Sequence, residues 1–115
     1  VIISQFEVFH AFLDPHVGSE QGGSRPVLVI SRTSINRSLP VIAVLPITSY
    51  KPGRRVYSTE VLIPAGNAGL TVDSLVLAHQ VRTIAVTRFQ KPYGSLDSQE
   101  LQEKVRQALR IFLDL

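Results

Sequence analysis

Gly18-Ser19-Glu20-Gln21-Gly22-Gly23-Ser24-Arg25-Pro26-Val27-Leu28-Val29-Ile30-Ser31 carries a polar, glycine-rich loop straight into a β-branched apolar run. Glycines let a backbone turn tightly and approach a ligand closely. Val27 to Ile30 is apolar enough for a buried strand. Arg25 therefore stands where a loop meets a sheet, so its guanidinium is aimed from a fixed base. Arginine can hold phosphate through two parallel hydrogen bonds.

The same strand-and-turn reading extends outward in both directions. Glu7 to Leu13 reads as a phenylalanine-rich first strand, and Pro26 to Ser31 as the second. Val41 to Pro46 is a third, and its continuous apolar character predicts burial on both faces. Val56 to Ile63 alternates, with Ser58, Glu60 and Leu62 on the wetter face. Pro64 to Gly69 is a turn, and Leu75 to Gln80 and Val81 to Ala85 complete the strands. The period then changes. Asp97 is a candidate helix cap with Glu100 three positions on, and Leu101, Val105, Ala108, Leu109 and Phe112 recur at helical spacing. The fold class is mainly β with a C-terminal helix, and many short strands between turns suggest a small barrel.

The composition narrows the classes of function. A chain of 115 residues with 44% hydrophobic and 18% charged content describes one folded domain, 1–115. No apolar run reaches the roughly 18 residues of a membrane span. The opening Val1-Ile2-Ile3-Ser4-Gln5 does not read as a signal peptide. No cysteine is present, which excludes disulfides and thiolate metal sites and fits a cytoplasmic protein. His10, His16 and His79 match no standard zinc spacing, so neither a metal nor another cofactor is expected. The net charge of +3 is compatible with nucleic acid, and Lys51, Arg54 and Arg55 cluster in one loop.

Three segments in order carry a resemblance: the Gly18–Ser31 stretch, Pro46-Ile47-Thr48-Ser49, and Asp73-Ser74-Leu75-Val76-Leu77-Ala78-His79-Gln80-Val81-Arg82-Thr83-Ile84. With Leu13-Asp14-Pro15 and Asn36, they make the chain resemble the MazF/PemK toxin endoribonucleases from about Glu7 to Leu115. The resemblance implies an SH3-like barrel of the MazF/PemK/CcdB-like kind, assembled as a homodimer. It implies cleavage of single-stranded RNA and a cognate MazE-like antitoxin whose acidic tail covers the substrate groove. It also ties Arg25 and Thr48 to catalysis. One departure stands out: family members usually carry glycine where this chain has Phe6.

RNA cleavage needs no metal when the ribose 2′-hydroxyl attacks its own phosphate, because the nucleophile is already attached. The protein must then stabilise negative charge and help protons move. Arg25 suits the first task, and Thr48 can donate to a non-bridging oxygen. His79 can carry protons near neutral pH, or be a histidine packed at a strand end. Ser19 is the other candidate proton carrier. Ser19, Glu20, Gln21, Ser49, Lys51, Arg54, Arg55 and Gln80 are the candidate RNA-binding residues, Gln80 either reading a base edge or holding the first loop. Two other functions share the pattern. One is a non-nuclease toxin of the same fold that poisons DNA gyrase through the end of its C-terminal helix; here Ile111 to Leu115 reads as core packing and fray. The other is a non-catalytic nucleic-acid-binding member.

Overall fold

The computed structural model describes residues 2–115. Seven antiparallel strands run β1 (Glu7–Phe12), β2 (Ser24–Val29), β3 (Val41–Ser49), β4 (Glu60–Ile63), β5 (Ser74–Leu77), β6 (Arg82–Ala85) and β7 (Phe89–Ser95). A single turn of helix, α1 (Thr33–Asn36), links β2 to β3, and α2 (Gln99–Leu113) closes the chain. The strand order is β4-β5-β3-β2-β1-β7, with β6 also paired to β3. Strand β3 organises the fold. Its first half pairs with β6 and β2, and its last three residues pair with β5. The result is a strongly bent, barrel-like sheet, with β4 and β7 as its two ends.

The apolar pattern explains the bend. One core, containing Val8, Leu28, Leu45, Ile47, Val76 and Val105, lies between the sheet and α2. A second, containing Phe9, Ala11, Val27, Val29, Ile42, Val44 and Ile84, fills the opposite side. Val27, Leu28 and Val29 thus alternate between two cores, which is why β2 reads as a continuous apolar run. The same holds for β3. Asn36 ties the N-terminal segment to this frame. Its buried Nδ2 donates to the carbonyls of Ile3 (3.0 Å) and Ser31 (3.1 Å).

Four expectations are revised. Strand β7 was absent from the sequence reading because Gln90-Lys91-Pro92-Tyr93-Gly94 has no apolar period. It pairs only with β1, through an irregular register, and an edge strand tolerates Pro92. The fourth strand begins at Glu60, not Val56, and Glu60 is buried at 7% exposure while Leu62 is exposed. The helix cap is Ser98 rather than Asp97, since the Ser98 hydroxyl accepts from the Leu101 N–H at 3.2 Å. Finally, Ile111, Phe112 and Leu113 are each nearly half exposed, so the end of α2 is an open apolar tip rather than core.

Phe6 has a left-handed backbone, φ 68°, which costs a non-glycine residue about 1–2 kcal/mol. Backbone bonds hold it there on both sides: its N–H donates to Val29 O (2.7 Å) and its carbonyl accepts from Leu96 N (2.8 Å). The ring, 6% exposed, sits in the first core with the Arg106 guanidinium 4.8 Å from its centroid. Burying a phenylalanine is worth about 1.5–3 kcal/mol, enough to offset the strain. The departure from glycine is thus accommodated by burial of the ring in the first core.

Candidate active site

Arg25 and Thr48 meet at one end of the sheet. Val27 pairs with Pro46 and Leu28 with Leu45, so extending the register by two residues sets Arg25 opposite Thr48. Both line a cleft of about 340 Å³, whose lining also includes Pro26, Ser49 and Ser74. Arg25 is half-buried. Its Nε donates to Gly22 O at 3.0 Å, and its Nη1 lies 3.5 Å from Ile47 O. The first bond orients the side chain. The second is long enough to be weak, so the guanidinium edge keeps donors for an anion. Thr48, at the end of β3, is half-buried and pairs with Leu75.

The loop before Arg25 is anchored from several directions. Asp14 Oδ1 accepts from Gly23 N (2.9 Å) and pairs with His16 Nδ1 (2.6 Å). The Gly23 bond first, and His16 second, hold the Asp14 carboxyl below the ordinary carboxylate range. Arg82 Nη1 donates to Leu13 O (3.1 Å), and Arg88 Nη1 to the carbonyls of Phe12 (3.1 Å) and Asp14. Gln80 Nε2 donates to Ser19 O at 3.1 Å, and its Oε1 accepts from Gln21 N at 3.4 Å. Glu20 takes the Val17 N–H (2.7 Å). Gln80 and Glu20 therefore shape the loop, while the exposed Ser19 lies on its outer side.

His79 lies elsewhere. With Ser19, Glu20, Gln21, Gln80 and Arg82 it lines a second cleft of about 500 Å³. Its Nδ1 is 3.0 Å from Thr59 Oγ1, and its ring packs edge-on against Phe112 with centroids 6.5 Å apart. The cleft that holds Arg25 and Thr48 has a different neighbour, Tyr93. Tyr93 had no signal in the sequence because β7 itself had none.

The basic loop divides by role. Arg54 donates twice to the Glu60 carboxylate, at 2.8 and 2.9 Å, and once to Arg55 O at 2.8 Å. Glu60 also accepts from Tyr57 N (3.0 Å). Arg55 lies over the Tyr57 ring at 4.9 Å, and Lys51 is exposed. Arg54 is a clamp on this loop, whereas Lys51 and Arg55 are its outward charges. The Arg54 hydrogen bonds, then the Tyr57 N–H, hold the Glu60 carboxyl below the ordinary range. A depressed carboxyl stabilises the fold above its unfolded-state pKa, and that stability is lost as pH falls through the folded value. Thermal melts from pH 7 to pH 3 should therefore show Glu60→Gln clearly less stable than wild type at pH 7, with the gap closing in acid. A gap of constant size would mean that the charge on Glu60 contributes nothing.

Among the described residues, no group of three or more His, Asp or Glu side chains could hold a metal ion. No helix among them is long and apolar enough to cross a membrane.

The family model for the PemK-like, MazF-like toxin of type II toxin-antitoxin system matches residues 4–113, and the chain belongs to that family. It is 41% identical over 115 residues to endoribonuclease EndoA of Bacillus subtilis, covering 100% of this chain and 97% of the relative. It is 37% identical to endoribonuclease MazF9 of Mycobacterium tuberculosis, covering 95% and 94%. The crystal structure of MazF from Deinococcus radiodurans superposes with a TM-score of 0.84 at 28% identity, covering 100% of this chain and 99% of that one.

Proposed function

We propose that this chain is a single-domain, cytoplasmic endoribonuclease toxin. It cuts single-stranded RNA at a preferred sequence, without metal or cofactor, by attack of the substrate's own 2′-hydroxyl. The observation that carries this reading is the convergence of Arg25 and Thr48 on one cleft, and the relatives named endoribonucleases support it. Arg25 would stabilise the phosphorane charge and Thr48 would fix a non-bridging oxygen. Ser49 would line the same groove, Lys51 and Arg55 would run along the RNA backbone, and Arg54 would hold their loop in place. Ser19, Glu20 and Gln21 belong to the loop that frames the site, and Gln80 braces it. His79 would exchange protons only across the boundary between the two clefts, so its role is tested by the pH–rate profile. The toxin would act as a homodimer, silenced by an antitoxin with an acidic tail.

The test is incubation with a long single-stranded RNA, followed by sequencing of the new ends. Cuts clustered at one short sequence support the reading, and intact RNA sinks it. An acidic antitoxin tail should compete for the same groove. Lys51→Ala with Arg55→Ala should then weaken RNA and antitoxin together and flatten the salt dependence of both, since exposed charges are screened over about 8 Å at physiological ionic strength. Antitoxin bound at full affinity beside an uncleavable RNA would rule out a shared groove. The gyrase-poison alternative draws on one observation, the exposed apolar tip of α2. Unchanged DNA supercoiling by gyrase in the presence of the toxin would dispose of it.

A further inference from the structure

The cleft that holds Arg25 and Thr48 has two kinds of wall. Its lining joins polar groups, Arg25, Thr48, Ser49 and Ser74 among them, to apolar ones that include Tyr93, Leu70 and Val72. A nucleotide has the same division, a charged phosphate joined to a flat apolar base. Tyr93 comes from edge strand β7 and is half-buried. Its hydroxyl is 3.1 Å from His10 Nδ1, and the two rings lie parallel within 4°, centroids 5.9 Å apart. His10 stands on β1 opposite Pro26, the residue after Arg25. The phenol oxygen is thereby engaged by His10, and what Tyr93 offers the cleft is its ring.

The turn that carries Leu70 and Val72 is fixed to the same strand. A Cβ on Gly69 would collide with the Tyr93 carbonyl, and one on Gly94 would press on Ala68. The turn carrying Leu70 to Val72 therefore rides directly on the backbone of Tyr93 and Gly94.

We propose that Tyr93 is an RNA-binding residue: its ring stacks the base next to the scissile phosphate, and His10 is the positioning residue that holds the ring. The inference rests on the ribonuclease reading above and adds a contact that neither Arg25 nor Thr48 supplies. Base–aromatic stacking tolerates any base identity and is lost on removal of the ring, so Tyr93 sets where the chain sits, while sequence choice comes from hydrogen bonds elsewhere.

The test compares steady-state cleavage of a short RNA by wild type, Tyr93→Leu and Tyr93→Phe. Leucine keeps the apolar bulk that packs on the core, and phenylalanine keeps the flat face without the hydroxyl. Tyr93→Leu should raise KM on the order of tenfold, with melting temperature near wild type, and Tyr93→Phe should restore KM to within a few-fold. His10→Leu should raise KM in the wild-type background and leave Tyr93→Phe unchanged, because the bond it removes is already gone. Unchanged KM in Tyr93→Leu, or a fall in kcat alone, overturns the proposal while leaving the nuclease reading intact. Wild-type protein that cuts no RNA overturns the nuclease reading and this proposal with it.

Discussion

Arg25→Ala should lower turnover by roughly a hundredfold or more, the usual consequence of removing one preorganised stabiliser of transition-state charge. The structure explains why this side chain has no substitute in the cleft. Its Nε is spent on Gly22 O at 3.0 Å, so the guanidinium is oriented before substrate arrives. The neighbouring arginines are occupied with backbone carbonyls, Arg82 with Leu13 and Arg88 with Phe12 and Asp14. Arg25→Lys should rescue poorly, because an ammonium keeps the charge but loses the planar fork. Thr48→Ala should cost a similar factor, and Thr48→Ser should recover much of it by restoring a donor at the same strand position. Single-turnover rates on one RNA measure all four variants, with thermal melts alongside because the Nε–Gly22 bond also anchors the loop. If Arg25→Ala and Thr48→Ala fold and still cleave at wild-type rates, the cleft is not the active site. His79→Ala provides an internal contrast. From its position in the second cleft it should change the rate far less and leave the neutral limb of the pH profile in place.

Much of this arrangement was legible in the chain, for physical reasons that differ from residue to residue. Pro26 to Ser31 and Val41 to Pro46 read as strands because their central residues are buried on both faces, which leaves an uninterrupted apolar run. The place of Arg25 followed from the glycine loop, since such a loop ends where a rigid strand begins. What the sequence concealed lay at the edges. Strand β7 pairs with β1 alone and its Gln90-Lys91-Pro92 middle is exposed, so its side chains show no apolar period, and Tyr93 went unseen with it. Glu60 was assigned to the wet face by simple alternation. It is buried because Arg54, six residues away around a loop, supplies its counter-charge. Alternation records which face is apolar, and an ion pair formed across a turn overrides it. For the same reason Arg54 looked like a free charge beside Arg55. Phe6 was a local conflict of another kind, a bulky residue at a glycine-type φ. Its resolution lies in the burial of its ring under Arg106, a contact with the distant C-terminal helix.

An RNA whose single cut-site ribose lacks the 2′-hydroxyl should not be cleaved at all, and this is the largest effect expected of any change to enzyme or substrate. The reasoning starts from the cleft. It offers one guanidinium and the Thr48, Ser49 and Thr71 hydroxyls, while the Ser74 hydroxyl donates to Val72 O and the Tyr93 hydroxyl meets His10. Those groups can orient a phosphate and stabilise charge on it, but they provide no strong external nucleophile. A hydroxyl held on the neighbouring ribose carbon supplies one at very high effective concentration. The attack forms a 2′,3′-cyclic phosphate and expels the 5′-oxygen, which takes up a proton as a 5′-hydroxyl. The intact RNA should therefore give those two ends, and should do so equally well in excess EDTA. The deoxy substrate should still bind, because the contacts proposed for Arg25, Thr48 and Tyr93 are to phosphate and base rather than to the 2′ position. It should inhibit cleavage of normal RNA with an inhibition constant near the substrate's own dissociation constant. Mass spectrometry of the product ends decides the matter. A 3′-hydroxyl with a 5′-phosphate, or any cutting of the deoxy strand, would require water or a protein side chain as nucleophile, and the roles of Arg25 and Thr48 would have to be assigned again.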